Sequence, residues 1–343
     1  MFVRKGDAVR HLAEVEHRKM TGGYVDPAAG KITFRSYAEQ WRTAQVHRPG
    51  TAQSVEQHLR RHVYPRLGRR PIAAIRPSEV QAMVTRLSAS LAPSTVAVVY
   101  GRVAAVFRAA VHDRVITFSP CVDVRLPSKP PQQALKVLST DQVMAIADAV
   151  PARYRALVLT GAGIGLRLGE LAGLALDRID FLRRHVKVDR QLVRSRVAGG
   201  VALAAPKTPA SYRTVPLPAS VGEVLAAHLT QWAPHPELGV VFTNERGAPV
   251  QERTYRGVWA TARARAGLPE WATPHDLRHY YASVLIRSGA SVKVVQARLG
   301  HASAKTTLDT YAHIWPDDED RTRAAIDTVL GGACHQGVTA VAR

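Results

Sequence analysis

The sequence predicts a mainly α protein, with a helical domain followed by a mixed α/β domain that is mostly α with a small β-sheet. Three observations carry this. Four short helix candidates fall between residues 33 and 125, and two of them, at 34–41 and 96–110, place apolar residues at three-to-four spacing, the mark of helices with one buried face. A Pro-rich stretch, LPSKPPQQAL at 126–135, then reads as a linker. Beyond it the helical period returns and gives way to alternation only over 185–217. At 343 residues the chain is long enough for two cores.

In chain order, residues 5–20 suit one amphipathic helix, with Val9, Leu12, Ala13 and Val15 at its apolar edge, and TGGYVDPAAGK (21–31) is turn-rich. Phe34, Tyr37, Ala38 and Trp41 stand at i, i+3, i+4 and i+7, which predicts a helix. A second helix is expected over 51–63, ended by the breaker Pro65 and the basic turn RLGRRP. Pro77-Ser78-Glu79 opens a third, with proline and an acid in its first turn. Pro93-Ser94 opens a fourth, in which Val96, Val99, Val103, Val106 and Ala110 share a face.

After the linker, Ser139, Thr140 and Asp141 cap a new helix. Residues 154–174 read as helix with a glycine-rich interruption. Val186 and Val188 alternate, Arg213 to Leu217 reads as another strand, and PKTPAS (206–211) is a turn between strands. From Ser220 to about Leu330 the pattern is mainly helical. The expected organisation is 31–126 as the helical domain, 127–136 as linker, 137–330 as the second domain and 331–343 as a flexible tail.

Charge is the first functional clue. The net charge is +20, from 47 Lys and Arg against 27 Asp and Glu. Residues 31–130 alone hold 16 basic and 5 acidic side chains, a net of +11. A surplus of this size asks for a polyanionic partner. The two cysteines, Cys121 and Cys334, offer neither a disulfide framework nor zinc-ligand spacing. No signal peptide and no apolar run of membrane-span length is read, so no membrane partner and a cytoplasmic, nucleoid-associated location are expected.

Four islands in the second domain carry chemistry: GLRLGEL with Arg167 and Glu170, the turn lysine Lys207, HDLRHYYAS with His275 and Arg278, and LGHASAKTTLDTYAH with His301 and Tyr311. Each alone has an ordinary structural reading. Arg167 and Glu170 are an i, i+3 surface pair, Lys207 a solvated turn residue, His275 a helix-start residue, His301 a neighbour of a helix cap and Tyr311 a core tyrosine. Together, two arginines, two histidines, a lysine and a tyrosine make a phosphate site in which no metal is required. Arginine forks match phosphate oxygens, a tyrosine hydroxyl can form a covalent intermediate beside a base, and a lysine can protonate a leaving oxygen.

The order GLRLGE, a hairpin lysine in PKTPASYRTVPLP, HDLRH, LGH and then TYAH ten residues on resembles the catalytic signature of the tyrosine recombinase (phage integrase) family, in particular integrases of actinobacterial phages and integrative mobile elements. The resemblance covers about 137–316, and residues 31–126 resemble the core-DNA-binding (SAM-like) domain that precedes it. It implies a site-specific recombinase acting on double-stranded DNA as a homotetramer, with no cofactor, metal or ATP, and with an accessory DNA-bending or directionality protein. It also implies roles. Tyr311 attacks the scissile phosphate and leaves a 3′-phosphotyrosine, and Arg167 and Arg278 clamp the non-bridging oxygens. His275 takes the tyrosine proton, His301 bonds the phosphate, Lys207 protonates the 5′-oxygen and Glu170 holds Arg167. Residues 1–30 are expected to be a remnant of an N-terminal arm-binding region plus linker. The competing readings are a non-catalytic DNA binder on the same fold, a relaxing topoisomerase, and a metal-dependent nuclease built on HDLRH, His301 and His313.

Overall fold

The computed structural model describes residues 4–20, 24–128, 135–195, 200–315 and 319–338. The chain divides into two compact units, Met1–Gln133 and Ala134–Arg343. Part of the expected linker, residues 129–134, lies outside the described residues.

The first unit opens with α1 (Lys5–Met20), on which Val9 and Leu12 are exposed rather than packed. Its core is built by α2 (Phe34–Ala44), α3 (Pro49–His58), α4 (Tyr64–Leu67), α5 (Pro77–Ser88) and α6 (Pro93–His112). Thr33 caps α2 by accepting the Ser36 N–H, and the Glu79 carboxylate accepts the Arg76 N–H at the start of α5. Phe34, Tyr37, Val55, Leu59, Met83, Val96, Val99, Val103, Val106 and Phe107 pack into one apolar core.

Two expectations need correction here. Pro65 does not end the helix: a widened π turn over Leu59–Val63 leads straight into α4, so Pro65 stands in a first turn, where its missing N–H is harmless. An apolar run of membrane-span length does exist by length and composition, the helix Pro93–His112. Its valine face is apolar because it fills the centre of this unit.

The second unit begins with α7 (Thr140–Ala149), whose Ser139 and Gln142 form a reciprocal capping box. Then come α8 (Ala152–Ile164) and the short α9 (Leu168–Ala172). Gly165 separates them in the left-handed conformation, φ +64°, and a Cβ there would collide with the Tyr281 ring. The strands are β1 (Ile179–Asp180), β2 (His185–Val188), β3 (Gln191–Arg194), β4 (Val201–Ala204) and β5 (Arg213–Pro216). β2 pairs antiparallel with β1 and β5, in register Val186 to Val215, while β3 and β4 form a separate hairpin. The turn after β4 therefore joins strands of different sheets, and Lys207 is not in a hairpin loop.

The remainder is helical: α10 (Ala219–Gln231), α11 (Glu252–Arg265), α12 (Asp276–Arg287), α13 (Val292–Leu299), α14 (Ala304–Tyr311) and α15 (Glu319–Val338). The helix α15 continues through 331–338, in place of the flexible tail the sequence suggests there. The main core runs from Leu138 through Tyr154, Leu157, Val186, Val215, Leu225 and Tyr255 to Leu277. A smaller cluster joins Tyr281, Ile286, Val295, Leu299 and Tyr311. The fold is thus mainly α with small antiparallel sheets, as the apolar periodicity predicts.

Candidate active site

Four helix ends build the site. Arg167 is the N-cap of α9, Arg278 lies in the first turn of α12, Gly300 is the left-handed C-cap of α13, and Tyr311 is the last residue of α14. These ends converge because α12 packs on α8 and, through α13, on α14.

Arg278 is 3% exposed. Its Nη1 donates to the Gly165 carbonyl at 2.8 Å and its Nη2 to the Leu299 carbonyl at 2.5 Å. Both acceptors are carbonyls at helix C-terminal ends, which lack intrahelical donors and favour a cation. Arg167 donates through Nη2 to the next carbonyl, Gly300, at 3.1 Å, and through Nη1 to Glu170 at 2.8 Å. Adjacent carbonyls therefore hold the two guanidiniums side by side. The Arg167 side chain is 38% exposed, so its fork keeps an open edge.

Glu170 is the single carboxylate among these cations. It accepts from the Arg167 N–H and Nη1, and from Arg213 Nη1 and Nη2 at 3.2 and 2.8 Å. Burial alone would raise its pKa, but the bonds from Arg213, and then Arg167, outweigh burial and hold the carboxyl below its usual range. Burial, followed by repulsion from Arg167, draws Arg278 down to about 9. The site thus carries uncompensated positive charge.

Tyr311 is 1% exposed. Its hydroxyl lies 2.8 Å from His279 Nδ1, and its ring is stacked on His301 with centroids 6.4 Å apart. Burial pushes the phenol up to about 12, with Arg278 pulling the other way. Burial, and then His275, push His279 down to about 4; burial, and then Arg278, do the same to His301. At neutral pH a phenol therefore faces a neutral ring, so the hydroxyl donates and Nδ1 accepts. His301 is oriented by a 2.9 Å bond between its Nδ1 and Thr307 Oγ1.

The sequence reading gave the tyrosine proton to His275, whereas the ring at the hydroxyl is His279, one turn further along α12. His275 is exposed at the N-cap of α12 and meets His279 edge-on at 4.8 Å. Partial desolvation by the surrounding protein, then Arg278, hold it below the usual histidine value even though its outer edge meets solvent. Lys207 is exposed in the turn after β4, and that turn is tied to the site through Ser211, whose hydroxyl bonds Thr208 and lies 3.4 Å from Arg167 Nη1. Two residues of this cluster, His279 and Arg213, are not among those the sequence singles out. His279 lies inside HDLRH, and its i, i+4 spacing from His275 is the one signal the sequence offers for it. Among the described residues no group of three His, Cys, Asp or Glu could hold a metal, and His313 Nε2 accepts the Leu135 N–H.

Comparison with known proteins agrees with this geometry. Residues 136–317 match the phage integrase family and residues 34–126 the phage integrase central domain. The integrase of Mycobacterium phage FRAT1 is 27% identical over 292 residues, covering 82% of this chain and 84% of that protein. The Tn1549 transposon integrase, solved in complex with a circular intermediate DNA, shares the fold with a TM-score of 0.74 at 23% identity, over 87% of this chain and 99% of that one. A lambda integrase tetramer bound to a Holliday junction gives a TM-score of 0.62 at 17% identity, over 89% of each chain. The chain belongs to the phage integrase family and is a tyrosine-type site-specific DNA recombinase.

Proposed function

We propose that this recombinase cuts and rejoins double-stranded DNA through a 3′-phosphotyrosine at Tyr311, without metal or ATP. The observation that carries the reading is the pair of guanidiniums held by successive carbonyls, Leu299 and Gly300, immediately before the histidine that stacks on Tyr311. A phosphate docking on the open edge of Arg167 and on Arg278 supplies the counter-charge that this cluster lacks. The two forks then neutralise charge on the non-bridging oxygens as it grows in the transition state, and one such donor is worth about 3 kcal/mol.

Tyr311 Oη attacks phosphorus and the bond to the 5′-oxygen breaks. Its proton rests toward His279 before DNA arrives. His275, open at the cleft, receives it when the tyrosine turns to the phosphate. His301 donates to a phosphate oxygen, and Lys207 gives a proton to the departing 5′-oxygen, which leaves as a free hydroxyl. Attack by a 5′-hydroxyl on the phosphotyrosine reverses each step, so the bond energy is conserved and ATP is unnecessary. The positive charge that a metal would bring comes from the arginines.

Residues 31–126, with their basic surplus, act as the core-DNA-binding domain, joined by the linker at 127–136 to the catalytic domain. Exchange between two duplexes requires four such sites, hence a homotetramer on DNA, the state in which lambda integrase was solved on a Holliday junction. On α15, Ile326, Val329 and Leu330 are exposed at i, i+3 and i+4, an apolar stripe suited to a neighbouring copy. A protein of this kind works in the cytoplasm, at the nucleoid, with an accessory bending or directionality protein.

The test uses a nicked duplex that the protein protects in a footprint, cut so that a short strand diffuses away after cleavage. In EDTA, wild type accumulates a covalent protein–DNA band on a denaturing gel and Tyr311→Phe does not. No band with wild type, on a duplex it binds, contradicts the reading and favours the non-catalytic binder.

A further inference from the structure

We infer that Arg213 is a positioning residue for the recombination reaction, a buried tie that sets the phosphate-binding edge of Arg167 and the Leu299–Gly300 carbonyl pair at once. The inference rests on the function proposed above. The Arg213 side chain is 6% exposed. Its Nη2 and Nη1 reach both oxygens of Glu170 at 2.8 and 3.2 Å, its Nε donates to the Arg298 carbonyl at 2.8 Å, and its Nη1 also reaches the Ser211 carbonyl at 3.1 Å.

These bonds join three segments far apart in sequence. The Glu170 bonds fix the carboxylate that grips Arg167. The Arg298 bond fixes the end of α13, where the next two carbonyls, Leu299 and Gly300, hold Arg278 and Arg167. The Ser211 bond fixes the turn that carries Lys207 onto the same frame. Packing is tight around this tie. Gly300 is left-handed at φ +64°, and a Cβ on it would stand 2.9 Å from the Ala210 carbonyl oxygen and 3.1 Å from Arg213 Nη1. Arg213 itself touches no reacting atom. Each of its three nitrogens donates to a protein acceptor and its side chain is buried, whereas Arg167 keeps an exposed edge.

A planar fork with a third donor at Nε can reach Glu170 and Arg298 together, and a lysine has one point of attachment. Arg213→Gln therefore lets Arg167 drift, and a misplacement of about 1 Å at a reacting centre costs about 100-fold in rate. The experiment measures single-turnover covalent-complex formation on the nicked duplex, with duplex affinity read in a shift assay. Arg213→Gln is expected to cleave about 100-fold more slowly, with affinity within about threefold of wild type. Arg213→Lys, which keeps the charge beside Glu170, should fall about tenfold and covers the case in which the glutamine variant fails to fold. The decisive arm repeats each change in an Arg167→Lys background. Because one of its two routes runs through Arg167, whose fork is already gone there, Arg213→Gln should cost about tenfold or less in that background, the remainder coming through the carbonyl that holds Arg278. A full penalty in both backgrounds, or an Arg213→Lys rate equal to wild type, overturns the inference. If wild type forms no Tyr311-dependent adduct, the proposed function fails as well. If wild type forms it and the Arg213 variants match it, this inference alone fails.

Discussion

Arg278→Lys separates the two tasks of the most buried cation in the site. In the structure its two terminal nitrogens staple the carbonyl of Gly165 to that of Leu299, joining the ends of α8 and α13. A lysine reaches one of these carbonyls, so one charge-assisted bond is lost and a buried acceptor is left bare, a cost of about 2 kcal/mol. For a unit of this size that lowers Tm by about 4–8 °C. Lysine also begins about two pH units below arginine. The same burial and Arg167 repulsion that lower Arg278 would lower a lysine from that lower starting point, so it holds its charge less firmly than the guanidinium it replaces. The transition state loses both a fork and a firmly held charge, and cleavage should slow by about 100- to 1000-fold. Duplex affinity, spread over many phosphates, should change by less than about threefold. Single-turnover cleavage, a shift assay and a melting curve read the three quantities separately. A cleavage rate within tenfold of wild type, or a loss of affinity as large as the loss of rate, would refute the assignment of Arg278 to the developing charge.

Two further outcomes follow from the same geometry. His279 and His301 are held neutral in the folded state, at about 4 against an ordinary 6.5. Between those values the unfolded chain binds more protons, so stability is complete above pH 6.5 and falls as pH drops toward 4. Melting curves across that window should show the decline, and replacing both residues by Asn should flatten it; an unchanged slope would contradict the burial argument. Deleting the chain after residue 318 removes the exposed Ile326, Val329 and Leu330 and should weaken pairing of two duplexes more than binding to one site. Equal loss of both in a shift assay would remove α15 from the assembly.

Much of the fold was legible because local rules and burial agreed. The valine face from Val96 to Val106 reads as core in sequence and lies at the centre of the first unit. Ser139 and Gln142 announce a helix start, and the structure closes a capping box there. The failures have physical causes. Pro65 breaks a helix only if an N–H is needed at that point, and a π turn upstream removes the need. The β3–β4 hairpin is short and half-buried on both faces, so it leaves no alternation to read. Within the site, the signature residues stood out as types and order, and what each one touches did not. Arg213 binds Glu170 across 43 positions and Arg298 across 85, a pairing that no local spacing displays. His279 and His275 are one turn apart on one helix, and only the placement of α14 decides which ring meets Tyr311.

The most direct test of the account is to identify the residue that carries the nucleotide. Trypsin cuts the chain after Lys305 and Arg321, which isolates Tyr311 as the sole tyrosine of its peptide, and places Tyr280 and Tyr281 together in another. The covalent complex trapped in EDTA would be digested with nuclease and trypsin and its peptides sequenced by mass spectrometry. The account predicts a nucleotide 3′-phosphate on Tyr311 and on no other side chain. An adduct on Tyr280, Tyr281 or any histidine would contradict it.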